Sequence, residues 1–109
     1  MRNYELMILF DPNLQDEEKK ALLDKIRQTI TTNKGNIIKI NEWGRRKLAY
    51  EVNKFQEAFY VLIDLELEPD NIANLESSIR FEEKILRYLL VLSSNKVLKP
   101  QSEQPQEKQ

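Results

Sequence analysis

The chain lacks cysteine and histidine altogether. Without cysteine there is no disulfide and no thiolate metal site. Without histidine the commonest general base, the commonest zinc ligand and the Ser-His and Cys-His nucleophile pairs are all missing. Glycine is scarce, only Gly35 and Gly44, so there is no phosphate-cradling loop. No apolar run approaches the roughly 18 residues that span a bilayer; Tyr88 to Leu92 is strand-sized. The start, Met1-Arg2-Asn3-Tyr4-Glu5-Leu6, leads straight into an alternating apolar pattern, without a signal-peptide core or a transit segment. The expected location is therefore the cytoplasm, with no membrane partner.

What is present suits a small soluble domain. The 109 residues are 40% apolar and 32% charged, which supports one hydrophobic core and no second domain. The net charge of −1 conceals a division. Residues 34–54 carry six basic against two acidic groups, +4, while residues 55–94 carry three basic against eight acidic groups, −5. A polyanion responds to the local field, so the whole-chain charge does not exclude nucleic acid.

Arg2 to Phe10 alternates and reads as a strand. Asp11-Pro12-Asn13 supplies a turn, and Asp16-Glu17-Glu18 places acids at the positive end of a helix. Leu23, Ile26 and Ile30 form its apolar stripe. Asn33-Lys34-Gly35 closes it, with Gly35 expected in the left-handed cap. A second strand begins at Asn36 and continues to Val52, with a bulge suggested by Gly44. Asn53 to Glu57 reads as a polar loop and Ala58 to Leu67 as the third strand. Glu68-Pro69-Asp70 opens a second helix with a stripe of Ile72, Leu75 and Ile79. Ile85 to Leu92 is the fourth strand. Residues 1–94 are expected to form the domain. Residues 95–109, rich in Gln, Glu, Lys and Pro, are expected to be a disordered tail.

Two strand–helix–strand units predict an α+β, ferredoxin-like split β-α-β sandwich: a four-stranded antiparallel sheet with two helices on one face. Alternation then assigns each strand residue to a face. The richer sets (Tyr4, Leu6, Ile8 and Phe10; Phe59, Val61, Ile63, Leu65 and Leu67; Tyr88, Leu90 and Leu92) belong under the helices. Left for the open face are Met7, Leu9, Tyr60, Leu62, Leu89 and Val91. If contiguous, they make an apolar patch of the kind that marks an interaction site. A loop or the tail folding over them, or a misassigned register, would equally account for them.

The sharpest local feature is Trp43-Gly44-Arg45-Arg46-Lys47-Leu48-Ala49-Tyr50, three consecutive cations between aromatics. Guanidinium groups grip phosphate and stack on bases, and the rings offer further stacking surfaces. The same cations could simply guard an edge strand against pairing with another chain. Three phosphate contacts are a modest anchor: a fourfold rise in salt would weaken them only roughly 20- to 40-fold. Tight binding would need a second protein or a shaped RNA surface. The RNA-recognition motif is excluded, since Glu57-Ala58-Phe59-Tyr60-Val61-Leu62 lacks its glycines and paired rings. The pairs Glu17/Glu18 and Glu82/Glu83 lie at element ends in polar company, where no apolar cleft would shift a carboxyl group. Asp64 and Glu66 share a strand face, where partners for Lys or Arg are the ordinary reading. No catalytic residue, cofactor, metal or small-molecule substrate is expected.

Several blocks together resemble the family of the sixth protein of the bacterial small ribosomal subunit. They are Met1-Arg2-Asn3-Tyr4-Glu5, Asp11-Pro12-Asn13-Leu14, Trp43 to Tyr50 and Ile85-Leu86-Arg87-Tyr88-Leu89. The likeness spans about residues 1–94. The chain departs from it at Glu51, where the family usually has Pro, and at Ala58, where it often has Gly. The resemblance implies a ferredoxin-like fold and a structural, non-catalytic role. It also implies binding to the central domain of small-subunit ribosomal RNA, cooperatively with the eighteenth small-subunit protein. It makes Arg2, Arg45, Arg46, Lys47 and Arg87 the RNA-contact candidates. Met7, Leu9, Tyr60, Leu62, Leu89 and Val91 remain the partner-binding candidates. The alternative from another class is a protein-only module that dimerises through its open sheet face.

Overall fold

The computed structural model describes residues 1–93; the segment expected to be a disordered tail lies outside the described residues. The elements follow the order β1 (Arg2–Phe10), α1 (Asp16–Thr32), β2 (Asn36–Val52), β3 (Phe55–Leu67), α2 (Ile72–Arg80, preceded by a 3-10 turn at Pro69–Asn71) and β4 (Ile85–Leu92). The four strands form one antiparallel sheet in the order β2-β3-β1-β4. This is the ferredoxin-like α+β arrangement expected from the repeated strand–helix–strand pattern.

The side chains on alternate positions of the two central strands make the core. Leu6, Ile8 and Phe10 of β1 and Val61, Ile63, Leu65 and Leu67 of β3 are buried. Leu23, Ile26 and Ile30 of α1 and Leu75 and Ile79 of α2 pack against them. The helical stripes at three- and four-residue spacing thus close over the strand face whose residues repeat every second position. Burying this apolar surface is the main stabilising term.

Local signals fix the joints. The Glu18 carboxylate accepts the Gln15 N–H at 3.1 Å, which satisfies one of the donors left over at the start of α1. The other end differs from the sequence reading. Lys34 (φ 67°), not Gly35, takes the left-handed conformation. The Lys34 N–H donates to the Thr31 carbonyl and the Gly35 N–H to the Ile30 carbonyl, a Schellman closure. Gly35 is required for a different reason: a Cβ there would lie 2.6 Å from the Glu66 carbonyl oxygen and 2.7 Å from Leu67.

The expected loop at Asn53–Glu57 is also absent. Asn53 (φ 51°) and Lys54 (φ 71°) make a two-residue turn, with Val52 paired to Phe55. Two successive left-handed residues give the twist that joins adjacent antiparallel strands directly. β3 therefore starts at Phe55, three residues before the reading from sequence. Finally, the Asn33 carbonyl accepts from Asn71 Nδ2 at 2.8 Å and its side-chain oxygen from Asn74 Nδ2 at 3.0 Å, so the end of α1 is tied to the start of α2.

Candidate nucleic-acid interface

Helices cover one face of the sheet, and the register decides what the other presents. Three adjacent rows cross it. Arg87, Leu9, Tyr60 and Gly44 occupy one; Leu89, Met7, Leu62 and Asn41 the next; Val91, Glu5, Asp64 and Lys39 the third. The six apolar residues expected on this face therefore lie side by side. Met7, Leu9, Tyr60 and Leu62 are partly exposed, while Leu89 is 61% and Val91 40% exposed. One end of this face carries Arg46 and Arg87; the other carries Glu5, Asp64 and Glu66, with Lys39 opposite Asp64.

The bulge in β2 shapes the basic end. Glu42 pairs with Val61 and Gly44 with Tyr60, so Trp43 is the extra residue. Gly44 takes φ +87°, a conformation open to glycine with little strain. Trp43 stacks on Tyr60, with ring centroids 6.2 Å apart and planes within 4°, an offset arrangement suited to the ring quadrupoles. The Arg46 guanidinium lies over the Trp43 ring at 5.3 Å. Burial raises the Tyr60 hydroxyl pKa above the ordinary 10.0, and the neighbouring Arg46 charge opposes that rise.

The consecutive cations separate here. Arg46 lies on the open face with Trp43 and Tyr60. Arg45 pairs with Phe59 and lies on the helix side. Its guanidinium donates to the Pro12 carbonyl at 2.8 Å and to Glu57 at 3.2 Å, and stands 5.3 Å from the Phe59 ring centroid. Lys19 of α1 caps the same ring at 4.1 Å and pairs with Glu42 at 3.6 Å. Lys47 is exposed and pairs in register with Glu57, again on the helix side. Arg2 is exposed at the start of β1, opposite Leu67 and on the helix side. Arg87 is exposed on the open face, opposite Leu9. Of the five RNA-contact candidates, the sheet thus brings Arg46 and Arg87 to one face and sends Arg2, Arg45 and Lys47 toward the other.

Sequence reasoning paired Trp43 with Tyr50 as the rings flanking the basic run. Tyr50 is instead 67% exposed near the hairpin end, and the partner of Trp43 comes from the neighbouring strand. The only signal for that pairing was the placement of Tyr60 on the open face together with the bulge suggested by Gly44. Among the described residues, no cluster of acidic side chains has the geometry to hold a metal ion, and no helix is long and apolar enough to cross a membrane.

Comparison with known proteins agrees with this architecture. The family model for ribosomal protein S6 matches residues 3–92. The small ribosomal subunit protein bS6 of Caldanaerobacter subterraneus is 40% identical over 91 residues, covering 84% of this chain and 96% of that protein. The bS6 protein of Heliobacterium modesticaldum is 38% identical over 91 residues, covering 84% and 95%. The crystal structure of 30S ribosomal protein S6 from Thermotoga maritima superimposes with a TM-score of 0.81 at 31% identity, over 96% of this chain and 97% of that one. The C-terminal domain of the MgtC protein from Mycobacterium tuberculosis shares the fold at 10% identity and a TM-score of 0.57, over 84% of this chain and 87% of that one. The chain belongs to the ribosomal protein S6 family of the small ribosomal subunit.

Proposed function

We propose that this protein is a structural, non-catalytic subunit of the small ribosomal subunit in the cytoplasm. It binds the central domain of small-subunit ribosomal RNA cooperatively with the eighteenth small-subunit protein. The observation that carries this reading is the makeup of the open face: Arg46 and Arg87 flank Trp43, Tyr60 and Leu9, beside an apolar band ending in acidic groups. RNA meets the basic end, where guanidinium groups reach phosphate. The partner covers the band formed by Met7, Leu62, Leu89 and Val91, and its basic residues face Glu5, Asp64 and Glu66. Two arginines give only a modest salt-dependent anchor, which is why the RNA and the second protein bind together.

Filter binding with a central-domain RNA fragment tests this, with and without the partner protein. Wild type should bind weakly alone and tightly with the partner, and Arg46→Ala/Arg87→Ala should weaken both. No RNA binding in any combination would reject the reading. A stable dimer of the free chain through the open face would then favour a protein-only module.

A further inference from the structure

We infer that the stacked Trp43–Tyr60 pair, with Arg46 over the indole, is a docking platform for an unpaired nucleobase of RNA. This rests on the RNA-binding reading above and adds a specific recognition element to it.

Three observations meet at this place. First, the two rings are held parallel before any ligand arrives: their planes differ by 4° at a centroid spacing of 6.2 Å. The bulge supports that geometry, because the extra residue at Trp43 lets the indole stand beside a ring on the next strand. A rigid aromatic surface loses little conformational freedom when a base stacks on it. Second, the guanidinium 5.3 Å from the indole centroid adds a planar cation of the kind that stacks on bases and grips phosphate. Arg45, one residue earlier, is engaged with Pro12, Glu57 and Phe59 on the other side of the sheet, so the strand presents one arginine to this site and uses the other as a clasp. Third, both rings remain partly exposed on a face with no helix over it. Leu9 and Arg87 continue the same row, opposite and beyond Tyr60, so a strand lying across the row would meet ring, aliphatic side chain and cation in turn.

Unpaired RNA is favoured over duplex for this site. Side chains read splayed bases by stacking, whereas the bases of an A-form helix are already stacked within it. Stacking engages the π face that every base has, so the platform should show little preference among the four.

The sole tryptophan of the chain is Trp43, so its emission reports on the site directly. The test uses the full-length chain with two probes, a short single-stranded oligouridine and an abasic ribose-phosphate strand of equal length. The oligouridine should quench Trp43 emission and bind more tightly than the abasic strand. By anisotropy with labelled strands, Trp43→Leu should lose about tenfold in affinity for oligouridine, the usual scale for one stacked base. It should lose little for the abasic strand, and Trp43→Phe should recover most of the loss. Tyr60→Leu retains the tryptophan and should reduce both the quenching and the preference. Circular dichroism confirms that each variant is folded. Equal affinity for the two strands, with Trp43→Leu unchanged, would overturn the platform while leaving RNA binding through Arg46 and Arg87 intact. Binding of neither strand would overturn the platform, while the central-domain RNA titration with the partner protein decides the RNA-binding reading separately. Quenching by the partner protein and not by oligouridine would assign the rings to a protein contact and overturn the inference.

Discussion

The two faces of the sheet are built from alternate residues of the same strands, yet they differ in kind. Under the helices, Leu6, Ile8, Ile63 and Leu65 are buried with Phe10 in a wholly apolar layer. On the other side, Met7, Leu62 and Leu89 share their surface with Arg46, Arg87, Glu5 and Asp64. The first composition answers a single demand, the removal of apolar surface from water. The second is mixed: under the proposed role its apolar area would receive a partner, and its charges would select what binds. Arg45 and Arg46 make the contrast at the scale of neighbouring residues. One is spent on holding the hairpin to the β1–α1 turn, and the other is displayed.

Substitutions can break this contrast, and the largest effect should come from the covered face. Leu65→Ala removes a fully buried side chain and should cost about 2–5 kcal/mol by urea unfolding. Leu62→Ala, on the partly exposed face, should cost about 1 kcal/mol or less; equal losses would erase the distinction. Gly35→Ala drives a methyl group toward the Glu66 carbonyl oxygen, 2.6 Å from its position, and should cost about 1–3 kcal/mol by the same measurement.

The arginines sharpen the contrast further. Arg45→Ala should lower stability by about 1 kcal/mol, a modest figure because its side chain is half exposed, 52%. Arg46→Ala should leave thermal stability nearly unchanged and reduce the salt slope of RNA binding by about 1. Exchange of these two outcomes would place the wrong arginine on the open face.

The smallest effect concerns pH. The folded chain holds the Tyr60 proton more tightly than the unfolded chain does, because burial raises the hydroxyl pKa above 10.0. Its contribution to stability is therefore complete below pH 10 and fades as the pH climbs through the folded value. The unfolding midpoint of wild type should fall more steeply than that of Tyr60→Phe across that alkaline range. Parallel curves would show that the ring environment does not disfavour the phenolate.

Much of this was legible in the residue pattern. The limits of β1, α1 and β4 agree with their apolar periods, since the strands alternate cleanly and Leu23, Ile26 and Ile30 define one helical stripe. The joints were less legible. The turn at Asn53-Lys54 was hidden because it lacks the glycine that usually marks left-handed residues. The role of Gly35 was misread because its sequence position fits a helix cap, while its actual requirement comes from Glu66 and Leu67, about thirty residues away.

The candidate site shows the same boundary most clearly. The sequence by itself determined the fold class, the apolar core and the presence of a basic, aromatic segment, because each follows from local periodicity and composition. Only the tertiary structure decided which of those cations and rings share a face. Strict alternation from Ile40 would send Arg46 under the helices and leave Arg45 outside. A single extra residue at Trp43 reverses them. Since successive side chains on a strand point to opposite sides, a shift of one position exchanges every residue beyond it. The pairing of Trp43 with Tyr60 likewise depends on which residues of β2 and β3 lie opposite one another, and that is set by how the whole sheet pairs.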